Sequence, residues 1–415
     1  MGKKTQSKPT MKGKKSNTTI TIPTMITIHQ KVDIFWTKKI FHLEMLLRIF
    51  ILIIKIGFYL PLIFLGQKDL YELISYLGPI YIKLCQIITT RPDVFGKSLV
   101  YYLKPLQDKV APSNLIPHID NFIIETKPIA CGSIAEVYNC EIDGQIRVVK
   151  IKRKNVDQHI QTDKQILNFL MNEYLITYLW GKGMVTHSKR ILGLIYDTID
   201  KHLDFNQEVN NIEIMSDLFK GSQVKIPEVH RKYSDNNHIV MEKILGVPFS
   251  DLPAENLNRF ISIFLHATYE MIFVHHYVHG DIHEGNILVM EDKIAFIDFG
   301  IIHRISPDKV LLLRAFFLSL SSLNSYMLAT FMYTNHTDKT HPYTNFQSDI
   351  ERLMLICDST NLYHFLNELI NICHNNKLEI EESLLYPFLI LIEADGIALK
   401  YSKDLTMSKI IFQRI

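Results

Sequence analysis

Several features that would direct a chain toward particular functions are missing from these 415 residues. Basic and acidic residues nearly balance, and the formal net charge of +2 gives no reason to expect nucleic acid binding. The five cysteines form no Cys-x-x-Cys pair, which indicates reduced thiols in an intracellular protein. No internal repeat is apparent. Apolar residues are abundant, at 47%, so the chain is long and apolar enough to bury a large core.

The N-terminal part of the chain has few acidic residues and one long apolar stretch. Residues 1–30 form a Lys/Thr-rich tail, for which we predict disorder. Its first half holds six lysines and no arginine, which disfavours a mitochondrial transit peptide. Residues 31–66 follow as an apolar segment. On a helix, Glu44, Arg48 and Lys55 would form a narrow polar stripe along this segment.

The helix predicted between Ile40 and Leu65 allows three placements. Its most apolar part, from Ile49 to Leu65, has 17 residues and contains Lys55 and Pro61, which makes it marginal for crossing a bilayer. A helix on the membrane surface, a helix packed on the protein body and a true span all stay open. Because the lysine-rich tail would favour anionic headgroups, we predict peripheral membrane association rather than a span.

Two short motifs in the second half of the chain predict a magnesium–nucleotide site. One loop carries Asp281 and, five positions later, Asn286, while Asp298 begins an Asp-Phe-Gly tripeptide. Apolar strands predicted at 286–289 and 293–297 would hold these side chains at the mouth of one cleft. In kinases, the first Asp orients the acceptor hydroxyl, and the Asn and second Asp hold magnesium. Magnesium prefers such hard oxygen ligands and leaves positions for phosphate oxygens and water.

Two other interpretations fit the same segment less well. A pair of structural turns would not explain why three polar residues fall at strand ends with these separations. His275, His279 and His283 recur every four residues and would share a helix face as zinc ligands. Gly280 interrupts that helix, so we expect His275 and His276 to be packing or surface residues.

A run of small residues upstream predicts a phosphate-binding loop. The segment 128–138 has the pattern of a strand, a small-residue turn and a second strand. Small side chains let backbone N–H groups approach phosphate oxygens. Lys150 lies on the following strand, where we expect it to contact the α- and β-phosphates and to pair with a glutamate. The predicted nucleotide-binding residues of this region are Ala130, Cys131, Gly132, Ser133, Val137 and Lys150.

The glutamate partner and the adenine-binding segment are predicted next along the chain. A helix that begins near Asp204, as N-cap, would place Glu208 in its second turn as the partner of Lys150. The strand 239–245 ends in a glycine turn, where backbone groups would bind the adenine. The predicted adenine-contacting residues are Met241, Glu242 and Ile244, of which the first fits a core position equally well.

A further block precedes these motifs and carries the strongest family signal. It contains Leu77-Gly78-Pro79 followed by Lys83 and Gln86, then Thr90-Arg91-Pro92-Asp93, then Leu106-Gln107-Asp108. With this block the chain resembles the UbiB/ADCK (aarF-domain-containing) family of atypical protein-kinase-like proteins, from about residue 68 to about residue 405. The resemblance implies an α+β, two-lobed protein-kinase-like fold: a small mixed β N-lobe, a helical C-lobe and an N-terminal helical extension over the active site. It also implies ATP and Mg2+ as cofactors, with Lys83 and Gln86 as regulatory residues in the space that a peptide substrate would need.

Three positions depart from the family pattern, and one segment is missing. Cys85 replaces a glycine and adds bulk where the helix and the cleft approach closely. His202 stands where the family has the glutamate of a Glu-x-Asp pair, and Gly132 replaces an alanine. We expect these changes to loosen the autoinhibition by Lys83, which loses its acidic partner. No Ala-Pro-Glu follows Gly300, so the platform on which protein kinases bind an extended peptide is lacking.

These observations give a domain layout and a function. The predicted segments are a tail at 1–30, an apolar helix at 31–66, the family extension at 67–125, the N-lobe at 126–245 and the C-lobe at 246–415. Helical periodicity predicts C-lobe helices at 310–333, 348–357, 362–375 and 381–400. We expect an ATP-binding, Mg-dependent kinase or ATPase acting on a small or lipid-like acceptor or on water, linked by the family resemblance to isoprenoid-quinone lipid metabolism. A nucleotide-binding pseudokinase scaffold and a protein serine/threonine kinase are the alternatives.

Overall fold

The computed structural model describes residues 47–63, 65–66, 70–89, 110, 112–113, 117–170, 182–335, 343–358 and 360–415. The predicted tail and the motifs at 90–93 and 106–108 lie outside these ranges. The chain divides into two units, Met1–Ile51 and Leu52–Ile415. Only residues 47–51 of the first unit are described, and they are helical.

The helices are α1 (47–63), α2 (Leu70–Leu77), α3 (Pro79–Thr89), α4 (Val156–Leu170), α5 (Lys182–Leu203), α6 (Phe205–Leu218), α7 (Ala254–Phe273), α8 (Pro307–Ser321), α9 (Ser325–Thr334), α10 (Tyr343–Ile356), α11 (Leu362–Asn375), α12 (Glu382–Tyr401) and α13 (Met407–Phe412). The strands are β1 (Ile123–Ile124), β2 (Ala130–Cys131), β3 (Ala135–Ile142), β4 (Gln145–Lys152), β5 (Val224–Lys225), β6 (His238–Met241), β7 (Tyr277–His279), β8 (Ile287–Val289), β9 (Ile294–Phe296) and β10 (Ile302–Arg304).

The N-lobe is built on an antiparallel sheet with the order β1-β3-β4-β6, and β2 pairs with β3. Strands β3 and β4 form a hairpin across Asp143 and Gly144, whose positive φ angles of 50° and 73° suit a tight two-residue turn. Alternate residues of β3 are buried, among them Tyr138 and Cys140, which cluster with Val149 on β4. This register places Lys150 opposite Val137, directly behind the small-residue loop.

The C-lobe packs its helices around α7. Buried aromatic and aliphatic side chains from α7, α8, α9, α11 and α12 join the same core cluster. Asp395 on α12 is fully buried and accepts hydrogen bonds from the backbone N–H groups of Tyr363 (2.9 Å) and Met407 (2.7 Å). This carboxylate therefore joins the N-terminal ends of α11 and α13 to the middle of α12. The mixed α+β, two-lobed kinase-like architecture is as the sequence predicts.

Two details of the C-lobe differ from the sequence prediction. The single helix predicted at 310–333 is two helices, because Leu323 has a positive φ of 53° and Asn324 caps α9 by accepting from the N–H of Met327. The short strand β10 after Gly300 was not predicted, and it pairs antiparallel with β7. The predictions at 348–357, 362–375 and 381–400 agree with α10, α11 and α12 apart from their ends.

Helices α2 and α3 form the described part of the N-terminal extension. Ile80 on α3 is buried in a cluster with Val156 and Ile160 on α4 and with Ile199 on α5. The extension is therefore held on the N-lobe by apolar contacts. Cys85 is buried among Ile74, Ile82 and Ile88, so the expectation that it adds bulk at the cleft is wrong. Its thiol faces the contact between α2 and α3 instead.

Helix α1 packs on α2 through a polar residue and exposes apolar ones. Lys55 donates to the carbonyl of Tyr76 and lies over its ring, while Leu52 is buried. Phe58 and Ile53 are 65% and 62% exposed. Within the described ranges, no helix has the length and apolar character needed to cross a membrane.

Candidate active site

Lys150 is held between two carboxylates at the junction of the lobes. Its Nζ lies 2.7 Å from Glu208 Oε1 and 2.9 Å from Asp298 Oδ2. The predicted ion pair with Glu208 is thus present, and it forms because Asp204 caps α6 by accepting from the N–H of Gln207. The prediction placed Glu208 in the second turn of α6, whereas the structure places it in the first turn. The arrangement joins strand β4, helix α6 and the Asp-Phe-Gly segment.

The charged side chains of this cluster stabilise one another. Burial alone would lower the pKa of Lys150, but the carboxylates of Asp298 and Glu208 outweigh it and raise that pKa above its ordinary value. Burial would raise the pKa of Asp298, but Lys150 and the N–H of Gly300 lower it strongly. Both groups are therefore charged at neutral pH. Burial raises the pKa of Glu208, and the attraction of Lys150 opposes that shift. The ionised carboxylate of Asp298 is therefore the group of this cluster that is suited to attract a cation.

The Asp-Phe-Gly backbone is fixed by hydrogen bonds from three sides. His279 Nε2 donates to the carbonyl of Asp298 at 2.6 Å, and its Nδ1 accepts from the N–H of Asp281 at 3.2 Å. The side chain of Asn211 donates to the carbonyl of Phe299 at 2.8 Å. The N–H of Gly300 donates to Asp298 Oδ1 at 3.0 Å, and Phe299 is fully buried. Asp298 therefore faces Lys150 while Phe299 belongs to the core.

Asn211 was not predicted from the sequence. It lies three positions after Glu208, so both project from one face of α6 and reach the same tripeptide. That spacing is the signal by which it could have been found.

The catalytic loop holds Asp281 and Asn286 through its own backbone. The amide nitrogen of Asn286 donates to the carbonyl of Asp281 at 3.0 Å, which leaves the amide oxygen as the remaining polar atom. A Cβ on Gly280 would lie 2.4 Å from the Cγ2 atom of Ile301, so only glycine allows this close approach. The loop therefore lies directly against the chain that follows Asp-Phe-Gly.

Lys83 reaches this loop from the N-terminal extension. Its Nζ is 3.8 Å from Asp281 Oδ2, and its side chain is 10% exposed. Burial lowers the pKa of Lys83, and the carboxylates of Asp281 and Asp298 oppose that shift. The structure thus brings Lys83 to the cleft as the sequence predicts, with Asp281 as the acidic group in contact. Gln86 lies further along α3, where its carbonyl accepts from the hydroxyl of Thr89.

His202, at the end of α5, occupies the same cleft. Its Nδ1 lies 3.0 Å from the point that a Cβ on Gly300 would take, and Asp298 Oδ1 lies 3.4 Å from that point. Burial is the main reason that the pKa of His202 falls to about 3, and Lys83 lowers it further. The ring is therefore neutral at physiological pH. Its Nε2 is buried and has no hydrogen-bond partner in the described part of the chain.

The small-residue loop is fixed by an arginine that the sequence did not single out. Arg153, just after β4, donates from Nε to the carbonyl of Gly132 at 2.9 Å and lies 3.3 Å from the carboxylate of Glu136. Glu136 also accepts hydrogen bonds from Tyr138 (2.7 Å) and from the backbone and hydroxyl of Ser113. We call Arg153, Glu136, Ser113 and Tyr138 the loop brace. It connects Ser113, within the predicted family extension, to the loop itself.

Residues at and near the loop tip follow the predicted pattern of small side chains. The N–H of Gly132 donates to the carbonyl of Ala135 at 2.8 Å, and a Cβ at Gly132 would lie 3.1 Å from that oxygen. Ser133 is buried, whereas Ala130 is exposed and Cys131 half-buried. Strand β3 continues from the loop, and Val137 on this strand is half-buried against the core cluster.

The segment predicted to bind adenine follows β6. Met241 is 4% exposed and belongs to the core cluster. Of the two roles that the sequence allowed, adenine contact or core packing, the structure therefore shows core packing. The N–H of Glu242 donates to the carbonyl of Glu228, and its side chain pairs with Lys225 at 2.6 Å. Within the described residues, the carbonyl of Glu242 and the backbone of Ile244 make no hydrogen bond. These groups are therefore available to an adenine edge.

The chain after Asp-Phe-Gly is short, and backbone hydrogen bonds hold it in place. Gly280 donates from its N–H to the carbonyl of Ile301, β10 pairs with β7, and Ile305 donates to the carbonyl of His276. Helix α8 then begins at Pro307. No space remains here for a long peptide-binding activation segment.

The described residues contain no group of three His, Cys, Asp or Glu side chains placed to hold a metal ion by themselves. The carboxylate of Asp298 and the amide oxygen of Asn286 are hard donors, which fit a magnesium ion completed by phosphate oxygens and water. The zinc interpretation of the histidines does not fit, because both nitrogens of His279 are engaged in hydrogen bonds.

The fold and the cleft together define a protein-kinase-like protein. A Lys–Glu pair, an Asp-Phe-Gly aspartate and a His-x-Asp loop with its asparagine are the parts from which kinase sites are assembled. The profile of the ABC1 atypical kinase-like domain matches residues 120–331, about half of the chain. The chain belongs to this family, and the resemblance to UbiB proteins is confirmed.

Relatives and a solved structure agree with this assignment. An uncharacterized protein of Clostridium pasteurianum from the hydrogenase 1 5′ region is 26% identical over 377 residues, covering 83% of this chain and 70% of that protein. A probable protein kinase UbiB of Marinobacter nauticus is 29% identical over 257 residues, covering 56% of this chain and 47% of the relative. The chain thus spans about half the length of that relative. The Mycobacterium tuberculosis protein Rv3197, solved in complex with erythromycin, has a TM-score of 0.52 at 16% identity, over 70% of this chain and 76% of that one, and shows the shared fold.

Proposed function

We propose that the chain binds ATP with Mg2+ in this cleft and transfers the terminal phosphoryl group to a small or lipid-like acceptor or to water. The observation that carries the proposal is the assembled cluster in which Lys150 contacts both Glu208 and Asp298. A scaffold that only recruited partners would have no need for this ion pair beside Asp281 and Asn286.

The nucleotide would lie between the small-residue loop and the segment after β6. The small-residue turn at 130–133 would lie against the phosphates, and Lys150 would contact the α- and β-phosphates. The carbonyl of Glu242 and the backbone of Ile244 would bind the adenine edge. Val137, on β3 next to the loop, would cover the base.

The cation would be held by Asp298 and Asn286. When bound, Mg2+ would offset the negative charge of the phosphate oxygens. Asp298 is suited to this role because Lys150 and the N–H of Gly300 hold it in the ionised form. The amide of Asn286 is oriented by its hydrogen bond to the carbonyl of Asp281.

Asp281 would orient the acceptor hydroxyl and take up its proton. Burial would raise the pKa of Asp281, but Lys83, His283 and His202 together outweigh it and lower that pKa, so the carboxylate is ionised and ready to accept a hydrogen bond. Lys83 contacts Asp281 at 3.8 Å, which places a buried ammonium group where a peptide backbone would approach. A small acceptor or water therefore suits this site better than a protein substrate.

Magnesium-dependent nucleotide binding tests the proposal directly. Asp298→Asn should abolish the thermal shift that Mg-ATP gives to the wild-type chain. Asp292→Asn, in the exposed turn between β8 and β9, is a matched control that should keep the shift. An equal shift in both variants would rule out Asp298 as the cation ligand.

A membrane surface is the environment that we propose for this reaction. Its support is the outward apolar face of α1, where Ile53 and Phe58 are exposed while Lys55 contacts Tyr76. A helix of this kind inserts its apolar face at the headgroup boundary. It would place the cleft close to lipid acceptors, among which isoprenoid quinones are the class expected from the family resemblance. In a flotation assay with anionic liposomes, the Phe58→Glu variant should no longer bind the liposomes, whereas the control variant Lys154→Glu should still bind them.

A further inference from the structure

An exposed apolar surface lies at one end of the helix pair α9 and α10 in the C-lobe. It includes the turn between α8 and α9 and the last turn of α10. Each of its large side chains is 50–87% exposed, whereas similar side chains of the same helices fill the core. We call this surface the turn patch, and its residues are Leu318, Leu323, Tyr326, Met327, Leu355 and Ile356.

Contacts between the helices bring these residues to the same end of the pair. Near the end of α9, the ring of Tyr333 packs on that of Tyr343 with centroids 4.9 Å apart, and the hydroxyl oxygens of Thr330 and Tyr343 are 2.8 Å apart. Because Tyr343 begins α10, the two helices are antiparallel, and the beginning of α9 lies towards the end of α10. Helix α10 has 14 residues and α9 has 10, so the last turn of α10 reaches the level of the turn at Leu323.

Leu323 is the residue of the turn patch that the fold of one chain does not explain. It follows α8 with a φ of 53°. Its N–H donates to the carbonyl of Leu320, and the next N–H, of Asn324, donates to the carbonyl of Ser319. At a helix end with this hydrogen-bond pattern glycine or asparagine is usual, because most side chains are strained in the left-handed conformation. Leucine bears that strain here with 66% of its surface exposed, so packing within the described chain does not offset it.

The size of the turn patch fits a stable protein interface. Its six residues together expose roughly 800 Å2, which is the area that each partner buries in an interface of standard size. The largest apolar patch on an ordinary monomer covers only about 300–600 Å2. The turn patch is therefore large enough to hold a protein partner.

The distribution of charge favours a second copy of the chain as that partner. Between Arg314 and Asp338 the sequence contains no Asp, Glu, Lys or Arg, so this part of the patch can face its own copy without repulsion between like charges. Homodimer interfaces are apolar in this way, and Tyr and Met are enriched in interfaces. A lipid surface fits less well, because anionic headgroups attract basic clusters. The charged residues nearest in sequence to the α10 part of the patch are mostly acidic, namely Glu351, Arg352 and Asp358.

We propose that the turn patch is the surface through which two copies of this chain pair about a twofold axis. In such a pair the same patch of each copy faces the other, so Leu323 of one copy packs on apolar residues of the second. Burial in the dimer then offsets the backbone strain at Leu323. The inference does not depend on nucleotide binding, since no residue of the turn patch belongs to the cleft.

Sedimentation of the full chain over the micromolar concentration range tests the pairing. The mass of the wild-type chain should rise from that of a monomer to that of a dimer. Leu323→Asn should raise the dimer Kd by at least about tenfold, equivalent to about 1.4 kcal/mol. Asparagine tolerates the left-handed conformation better than leucine, so the Tm of this variant at low concentration should equal or exceed that of the wild-type chain. A folding defect therefore does not account for the loss of the dimer.

Two further variants assign the association to the patch. Leu355→Ser, on α10, should raise the dimer Kd as Leu323→Asn does, because both parts of the patch are buried in the pair. Ile146→Asn is the matched control, since Ile146 is an exposed apolar residue of β4 in the N-lobe, and it should leave the Kd unchanged.

Three results would overturn the proposal. The first is a wild-type chain that stays monomeric over the whole concentration range, whether or not it binds liposomes. The second is a dimer whose Kd is the same in the wild-type chain, Leu323→Asn and Leu355→Ser. The third is an association that Phe58→Glu abolishes and Leu323→Asn keeps, because it would assign the contact to α1.

Discussion

Removing Arg153 should loosen the phosphate-binding loop and weaken nucleotide binding. Arg153 is the cation of the loop brace, and it contacts both the carbonyl of Gly132 and the carboxylate of Glu136. Arg153→Met keeps much of the aliphatic length and removes both contacts. Lys154→Met, at the exposed neighbouring position, removes a charge without touching the brace.

The expected loss of stability follows from these contacts. A hydrogen bond from a charged donor contributes about 1.5–3 kcal/mol. Breaking a buried ion pair costs about 3–5 kcal/mol when the remaining charge has no other partner. Glu136 keeps its hydrogen bonds from Ser113 and Tyr138, so the second cost is reduced. We expect Arg153→Met to lower the free energy of unfolding by about 3 kcal/mol, and Lys154→Met by less than about 0.5 kcal/mol.

Two measurements test the brace. Urea unfolding followed by circular dichroism gives the stability difference, and calorimetry with Mg2+ and the β,γ-methylene analogue of ATP gives the affinity. Loss of order at Gly132 should raise the Kd about tenfold, equivalent to about 1.4 kcal/mol. Equal Kd values for Arg153→Met and Lys154→Met would show that the loop is held without the brace, whatever the change in stability.

Three further predictions concern the catalytic loop and the pH dependence. Asp281→Asn should keep ATP binding and lower turnover by about two to four orders of magnitude; wild-type turnover in a coupled ATPase assay would contradict the role of Asp281. Lys83→Ala should change basal turnover or nucleotide selectivity without unfolding the lobe. If the variant and the wild-type chain had the same turnover with ATP and the same turnover with GTP, a regulatory role of Lys83 would be contradicted. Burial lowers the pKa of His303 from 6.5 to about 4, so the fold keeps the ring neutral while the unfolded chain binds a proton below pH 6.5. Stability is therefore lost as the pH falls from 6.5 toward 4, by at most about 1.4 kcal/mol per pH unit. His303→Phe, which preserves the ring stack on Tyr386, should reduce that slope in urea unfolding, and an unchanged slope would contradict the assignment.

The site residues that lie close together in the sequence could be predicted from it. Asp281 and Asn286 lie in one loop, and Asp298 follows a short hairpin. Because few residues separate the three, this local segment brings their side chains together without contacts from distant parts of the chain. The pairing of Lys150 with Glu208 was accessible for a different reason, since Asp204 marks the beginning of α6. The two-lobed architecture followed from the resemblance to the family.

Other features depend on contacts between distant segments, and the sequence did not reveal them. Glu136 meets Ser113 from 23 positions away, and Arg153 meets the carbonyl of Gly132 from 21 positions away. No periodicity encodes such approaches. The placement of Cys85 failed for the same reason, because a family pattern shows which residue is changed but not which neighbours it contacts.

The fixed Asp-Phe-Gly backbone determines what kind of inhibitor can bind. Drugs that recognise a flipped tripeptide need Phe299 to leave the core and Asp298 to turn outward. In this protein that movement would break the hydrogen bonds from His279 and Asn211, as well as the contact between Lys150 and Asp298. Compounds of that class would have to compensate for the loss of these contacts. Selective chemistry is better directed at the adenine edge near Ile244 and at the Lys83 side of the cleft, where the extension forms a wall that ordinary protein kinases lack.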